Sequence, residues 1–460
     1  MNVSRQSHHT NGWKDVFVVP SDTKLPVIAE VDVAVAGGGA AGVAAAETVA
    51  RHGRSVLVVE KYGFVGGAAV AGLSGTICGL FNSSERANDR EIIVGGFAER
   101  FVRELLGRGG GTDPQRYGKT WVITHEPYCW KQAAEALLLG AGVHLLYHTM
   151  IVGVVKDGDA IKGLVVFSKS GLGVIRARAV IDASGDGQVV FSAGLGYTVG
   201  REGRVQNATM IYRLAGVDVT RFLAYWGDDT ISPQKVVDLL VKEHAKDPGS
   251  YPRTKVWVFD TPRPNELLVN ATRLVDEHER EYDPLDPFQA TQAEIVAKHQ
   301  VNRFTEFMRA AVPGCENAFV NDTATEIGVR QSRSIVGMER LTNVDVATRR
   351  KRPDGVVRSS WPIELHAGRT PTTEWLVDDF YEVPYGALVP VRGENIITAG
   401  RCISAEHEAL ASARVTAQCF GYGHAAGLAT VEALRSGRSY REIDGAEIRR
   451  LLNLDGARMD

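Results

Sequence analysis

Three glycines set the first chemical question. Gly37, Gly39 and Gly42 stand in G-x-G-x-x-G spacing inside "AGGGAAGVAAA". The acid Glu60 follows at the distance, about 20 residues, where a carboxylate accepts from ribose hydroxyls. In such a motif the first glycine permits a tight turn and the second leaves room for a pyrophosphate against the backbone. The third lets a helix pack close to its strand. Ala40 and Ala41, in the break before that helix, are further cofactor candidates, and the helix N-terminus offers free N–H groups and a positive dipole end to the phosphates. An acid rather than an arginine at residue 60 disfavours a 2′-phosphate, which leaves NAD or FAD as the ligand.

The motif means little without the elements that position it. "VDVAVA" has the residues of a short buried strand, and "VAAAETVARHG" those of a helix stopping at Gly53. "RSVLVVE" then reads as a second buried strand. Together they predict a βαβ unit. A membrane span over Val31 to Ala50 is excluded by Asp32, Glu47 and three consecutive glycines.

Three later segments favour FAD over NAD. In "KYGFVGGAAVAG", Lys61, Gly66, Gly67 and Ala68 form a second glycine-rich turn that would admit a flat, bulky group. Next, residues 148 to 180 predict a three-strand meander, with turns at Asp157-Gly158 and Gly171-Leu172-Gly173. Val152 of that meander is a candidate cofactor contact. The chain returns to the parallel sheet through "VIDASGDG", where Gly185 and Asp186 would meet ribose or pyrophosphate. The third segment is "NIITAGRCISAEHEALASARV". A strand leaves it through Ala399-Gly400, and Gly400, Arg401 and Val415 are further cofactor candidates. An Ala-rich helix starting after Ser412 would turn its N-terminus toward flavin N1 and the C2 carbonyl, where reduction places negative charge.

These segments, with "IGVRQSRSIVGMERLT" and "YEVPYGALVP", resemble the FAD-dependent oxidoreductases of the glutathione-reductase-like superfamily. Within it the chain is similar to bacterial flavoproteins distantly related to the succinate dehydrogenase and fumarate reductase flavoprotein. The resemblance runs from residue 31 to about residue 434. It implies an α/β fold: a Rossmann-like FAD-binding domain with a small antiparallel β-meander insert, and a mixed α+β substrate or cap domain. The expected organisation is an N-terminal extension over 1–29, an FAD-binding domain over 30–200 and 381–438, a cap over 201–380, and a charged tail over 439–460. Two features depart from the pattern. Tyr385 is followed by Gly386 where such proteins often carry arginine, and "VGGAAVAG" offers no histidine for covalent attachment. Non-covalent FAD is therefore expected, with Cys78 and Cys402 as the alternative attachment points.

Flavin chemistry needs few protein groups. The substrate carbon must sit over N5, a base or acid must handle a proton, and cations must hold any carboxylate. The catalytic candidates are His407, Arg414, Arg330 and His366, with Arg333 and Tyr385 considered beside them. The expected activity is oxidation or reduction of a small organic molecule by hydride transfer to or from flavin N5. A flavin-dependent non-redox enzyme or lyase, and a nucleic-acid-modifying flavoprotein, are the alternatives.

Composition narrows the partners. A net charge of −3 does not suggest nucleic acid, and the basic run Arg349 to Gly355 reads as a solvated turn around Pro353-Asp354-Gly355. The 5 cysteines are odd in number and form no CxxC pair, so neither a disulfide framework nor a metal centre is expected. The N-terminal stretch lacks an apolar signal-like run. A cytoplasmic enzyme without a membrane partner is expected, with a homo-oligomer, by default a homodimer, as its assembly.

Overall fold

Strand β1, Val27–Ala36, ends in four consecutive buried residues, Val33 to Ala36. A strand buried on both faces belongs inside a covered parallel sheet. The computed structural model describes residues 24–86, 88–366 and 371–460. Residues 1–23 of the expected N-terminal extension thus lie outside the described residues. After β1 come helix α1, Ala40–Arg51, and strand β2, Val56–Val59, parallel to β1 with Val59 opposite Ala36. Gly53 takes a left-handed φ of 77° just past the helix, as expected of a terminating glycine.

The same sheet contains β3 (His144–Leu146), β4 (Met150–Asp157), β5 (Ala160–Ser168) and β6 (Gly171–Asp182), in the order β3-β2-β1-β6-β5-β4. Strand β6 does two jobs. Its first half closes the antiparallel meander with β5, while nearly its whole length runs parallel to β1. The meander's third strand is therefore also the centre of the parallel sheet.

One expected turn moves. The chain reverses at Lys169-Ser170, and Gly171 to Gly173 belong to β6. Gly173 answers a tertiary demand there, because a Cβ at that position would lie 2.9 Å from the Ile28 side chain.

The middle of the chain builds a second, antiparallel sheet. Strands β7 (Tyr212–Ala215), β8 (Trp257–Asp260), β9 (Glu266–Asn270) and β10 (Phe319–Thr323) pair in the order β8-β9-β7-β10. Helices α2 (Gln234–Lys246) and α3 (Pro287–Ala311) belong to this part. Asp286 caps α3 by accepting from the Phe288 and Gln289 N–H groups. Its Ala293, Ala297, Val301, Phe304 and Met308 form a buried stripe at helical spacing. Side chains cross the expected boundary at residue 200 in both directions. Leu73, Tyr117 and Val122 join the cap core, and Val356 and Val357 of the expected cap join the core around α1.

Three elements near the C-terminal half complete the site. Strand β11, Ile363–Leu365, is a short hairpin arm, and β12, Ile396–Thr398, pairs in parallel with the last residues of β6. The Ala-rich segment forms two helices, α4 (His407–Ala413) and α5 (Thr416–Ser436), broken at Arg414-Val415. The long helix thus begins a few residues later than expected. It lies against α1 so closely that a Cβ on Gly423 would stand 2.1 Å from the Ala41 carbonyl oxygen. Gly423→Ala is therefore expected to destabilise the fold by about 1–3 kcal/mol through overpacking. Urea denaturation checks this, and an unchanged midpoint would mean the helix pair has slack.

Candidate active site

The three motif glycines are not equivalent. Gly37 has φ 95°, and a Cβ there would lie 2.8 Å from the Ala183 carbonyl oxygen. On Gly42 a Cβ would lie 1.9 Å from the Gly37 carbonyl oxygen. The protein itself requires both glycines. Gly39 differs, because its Cβ would meet only the Gly67 Cα, at an ordinary 3.7 Å. The room above Gly39 is left for something outside the chain.

Helix α1 opens toward that room without a side-chain cap and without an acid in its first turn. Its first N–H groups and its positive dipole end therefore remain available to an anion. Glu60 stands beside them, accepting from Gly38 N–H at 2.8 Å and from Tyr62 N–H at 3.0 Å. Burial raises its pKa, while these two donors and Lys61 oppose the rise. The turn after β6 is held by a second buried acid, Asp182. It accepts from Ser184 Oγ at 2.6 Å, Val189 N–H at 2.8 Å and Val190 N–H at 3.0 Å. That grip presents Gly185 and Asp186 to the same space. An uncapped helix, a free approach at Gly39 and an acid at the end of β2 together fit a flavin dinucleotide.

The space is one cavity of about 510 Å³. Of the expected cofactor residues, Gly37, Gly39, Ala40, Ala41, Glu60, Lys61, Gly66, Gly67, Ala68, Gly185, Asp186, Gly400, Arg401 and Val415 line it. Gly42 lies beneath the turn as a packing residue. Val152 is 48% exposed outside the lining, while its neighbour Ile151 lines the cavity. Alternation along a strand sends adjacent side chains to opposite faces.

Polar contacts join the turns at the sheet's strand ends to one another and to the segment after β10. Arg401 reaches Asp186 at 2.5 Å, and Ser332 Oγ donates to the same carboxylate at 2.6 Å. Lys61 pairs with Glu326 at 2.7 Å.

At its inner end the cavity becomes polar and aromatic. Arg330, His366 and Arg414 come together there, as lining residues, with Tyr117, Cys78, Trp361 and Glu364. Glu364 is the hub. It accepts from the Tyr117 hydroxyl at 2.5 Å, and its other oxygen lies 3.5 Å from His366 Nε2. Burial alone would raise its pKa, but hydrogen bonds from His366 and Tyr117 and the nearby Arg414 charge hold it below the usual carboxylate value. Arg253, buried behind the lining, places Nη2 3.3 Å from His366 Nδ1.

The other candidates lie elsewhere. His407 starts α4 outside the lining, and burial lowers its pKa. Its backbone oxygen accepts from Gln206 Nε2 at 3.4 Å, and Gln206 Oε1 accepts from Arg414 Nη2 at 3.2 Å. His407 thus reaches the site through Arg414. Arg333 stacks 4.1 Å from the Phe191 ring centroid and donates to the Asp186 backbone oxygen. The Tyr385 hydroxyl donates to the Tyr440 carbonyl, away from the cavity. Cys78 lines the cavity, with burial pushing its thiol up to about 12, whereas Cys402 is buried outside the lining. The basic run is tied into the fold. Arg350 pairs with Asp345, Lys351 with Asp379 and Arg352 with Glu339.

Sequence reasoning passed over Tyr117, Arg253, Asp182 and Glu364. Only Glu364 had a readable signal, since it stands two residues before His366 and so shares its strand face.

A dinucleotide-type βαβ unit, a cap sheet and one cavity running into both define an FAD-binding α/β fold. The chain belongs to the FAD dependent oxidoreductase family, whose model matches residues 32–452. It is an FAD-dependent oxidoreductase. No curated protein matches the sequence. Among solved structures, the fold is similar to a geranylgeranyl bacteriochlorophyll reductase-like protein from Thermoplasma acidophilum. The two share 15% identity at a TM-score of 0.50, covering 93% of this chain and 84% of that one. A p-nitrophenol 4-monooxygenase from Pseudomonas putida shows 12% identity and a TM-score of 0.48 over 92% of this chain and 85% of its own. Among the described residues no helix is long and apolar enough to cross a membrane.

The glycine geometry separates two variants. Gly39→Ala is expected to keep its thermal midpoint as apoprotein yet bind FAD at least about tenfold more weakly. Gly42→Ala is expected to lower the midpoint itself. Melting curves and FAD titration of both apoproteins check this, and equal losses of stability would contradict it.

Proposed function

We propose that the enzyme oxidises or reduces a small organic molecule seated at the inner end of the cavity, hydride passing between the substrate carbon and flavin N5. The observation that carries this reading is the unbroken cavity from Gly39 and Glu60 to Tyr117 and Glu364. A cofactor on the glycine platform and a substrate in the polar chamber would share one enclosed space.

The chain's own groups have distinct tasks in this reading. Arg330 and Arg414 line the chamber and would orient the substrate. Arg330 Nη1 is itself fixed by the Asn207 carbonyl at 2.6 Å. The protonation of His366 follows from its neighbours. A guanidinium has donors but no acceptor, so His366 Nδ1 facing Arg253 must carry the lone pair. The ring proton is then on Nε2, toward Glu364. Burial and Arg330 push the His366 pKa well below its usual value, so the ring stays neutral. With both nitrogens engaged, His366 orients Glu364 rather than taking a proton from substrate.

Tyr117 presents the hydroxyl nearest to this task. Burial and Glu364 raise its pKa well above the usual value, so it holds its proton at rest. Its hydroxyl, anchored on Glu364, is the group through which a substrate proton would enter or leave the chamber.

Anaerobic mixing with small alcohols, amines and acids tests the reading. At least one class should bleach the flavin band, and Tyr117→Phe should slow bleaching by roughly a hundredfold while FAD stays bound. A flavin that no such compound reduces, and whose reduced form passes electrons to none of their oxidised counterparts, would defeat it.

A further inference from the structure

The β-meander is apolar on both of its faces. On the inner face Leu164, Val166 and Ile175 are buried, and Ile151 and Val154 pack beside them in the core that contains Val189 and Val190. An antiparallel sheet with one face in water alternates apolar and polar residues along its strands, and the meander does not. On its outer face Met150 stands opposite Phe167, and Phe167 opposite Leu172, in one row across β4, β5 and β6. Val152 and Val155 continue the outer side of β4. Val27 of β1, opposite Val174, extends it across the sheet. These six side chains are between 40 and 54% exposed, and they remain open among the described residues. Single exposed apolar residues are ordinary, but a contiguous patch marks a contact surface.

The face is better suited to contact than the edge beside it. Strand β4 ends the sheet order, so its outer side has no strand partner among the described residues. Its register slips between Ile151 and Gly153 and again between Val155 and Lys156. Bulges of this kind are how an open edge avoids pairing with another chain. Packing of the outer face on a second sheet needs no regular edge. It needs apolar side chains that meet across a gap of about 10 Å.

Charge on the same face narrows the occupant. Beyond the apolar rows, Arg176 lies 3.8 Å from Glu30, Arg178 lies 2.9 Å from Asp32, and Lys162 lies 3.9 Å from Asp157. Three cations and three anions cancel, so the face selects neither a polyanion nor a basic partner. At the two ends of the meander the signs separate. Lys169 is exposed at one turn, and Asp157, with its side chain 83% exposed, stands at the other. A two-fold axis lying across the strands turns one copy end for end over the other. It lays apolar rows on apolar rows and brings each Lys169 toward the partner's Asp157. Self-complementarity of this kind is what a two-fold interface requires.

We propose that the protein is a homodimer in which the outer faces of two meanders pack on one another through Phe167, Leu172 and the valines around them. The proposal goes beyond the redox reading and does not rest on it.

Sedimentation equilibrium of the full-length, FAD-loaded enzyme tests it. The wild type should be a dimer at micromolar concentration. Phe167→Lys should weaken the dimer at least about thirtyfold with FAD retained, because a two-fold contact meets the substitution twice. Leu139→Lys, at an exposed position on the helix Pro127–Gly140, should leave the dimer intact. Lys169→Asp should weaken it about threefold or more, and adding Asp157→Lys should restore it. If Phe167→Lys does not fold, Leu172→Lys carries the same test. A monomeric wild type would overturn the proposal, and dimerisation only after removal of residues 1–23 would give the face to that segment instead. A dimer that both Phe167→Lys and Leu172→Lys leave intact would overturn it too. Loss of the dimer with Phe167→Lys but indifference to the charge variants would overturn the end-for-end arrangement.

Discussion

Helix α1 can offer its N-terminus to a ligand only because it lies in contact with the turn that precedes it. The Gly42 position touches the Gly37 carbonyl, and Gly37 itself touches the backbone at Ala183. Larger residues would lift the helix away from β1 and β6 and turn its free N–H groups off the cavity. On the helix's other side, α5 closes to the same backbone at Gly423. The dinucleotide platform is thus clamped from two directions by contacts that only glycine permits. The strand-end acids Glu60 and Asp182 then hold the neighbouring turns by accepting backbone N–H groups. The cavity's shape follows from these few contacts.

The two ends of the cavity use electrostatics in opposite ways. At the platform, positive potential comes from backbone dipoles and needs no buried side-chain charge. At the inner end it comes from the guanidinium groups of Arg253, Arg330 and Arg414. Such an arrangement costs stability. Under the proposed function a bound substrate would offset that cost at the point where the chemistry is proposed to occur. Glu364 orders the inner end of the cavity. One carboxylate, fixed by Tyr117 and His366, sets the direction of two side chains at once.

The platform was legible in the sequence because its constraints are local. Glycine spacing, a stop at Gly53 and an acid at residue 60 all act within one βαβ unit. Legibility fell where a residue answers to a distant partner. Gly173 reads as a turn glycine but is required by Ile28. Val152 and Ile151 differ only in the phase of a strand alternation that the sheet fixes. The Ala-rich segment near residue 412 reads as one helix, yet the chain breaks at Arg414, whose side chain turns into the chamber. His366 was readable and Glu364 could have been, from their shared strand face. Tyr117 and Arg253 carried no local signal at all. They reach the site because the cap core gathers residues from both halves of the chain.

The account stands on one spatial claim, that the flavin ring lies between the glycine platform and the arginine chamber. A crystal structure of the FAD-bound enzyme tests it most directly. It should place the pyrophosphate at the N-terminus of α1, a ribose hydroxyl at Glu60, and the ring edge facing Tyr117, Arg330 and Arg414. A ring turned outward toward Lys61 and Tyr62, with protein closing off the chamber behind it, would contradict the account.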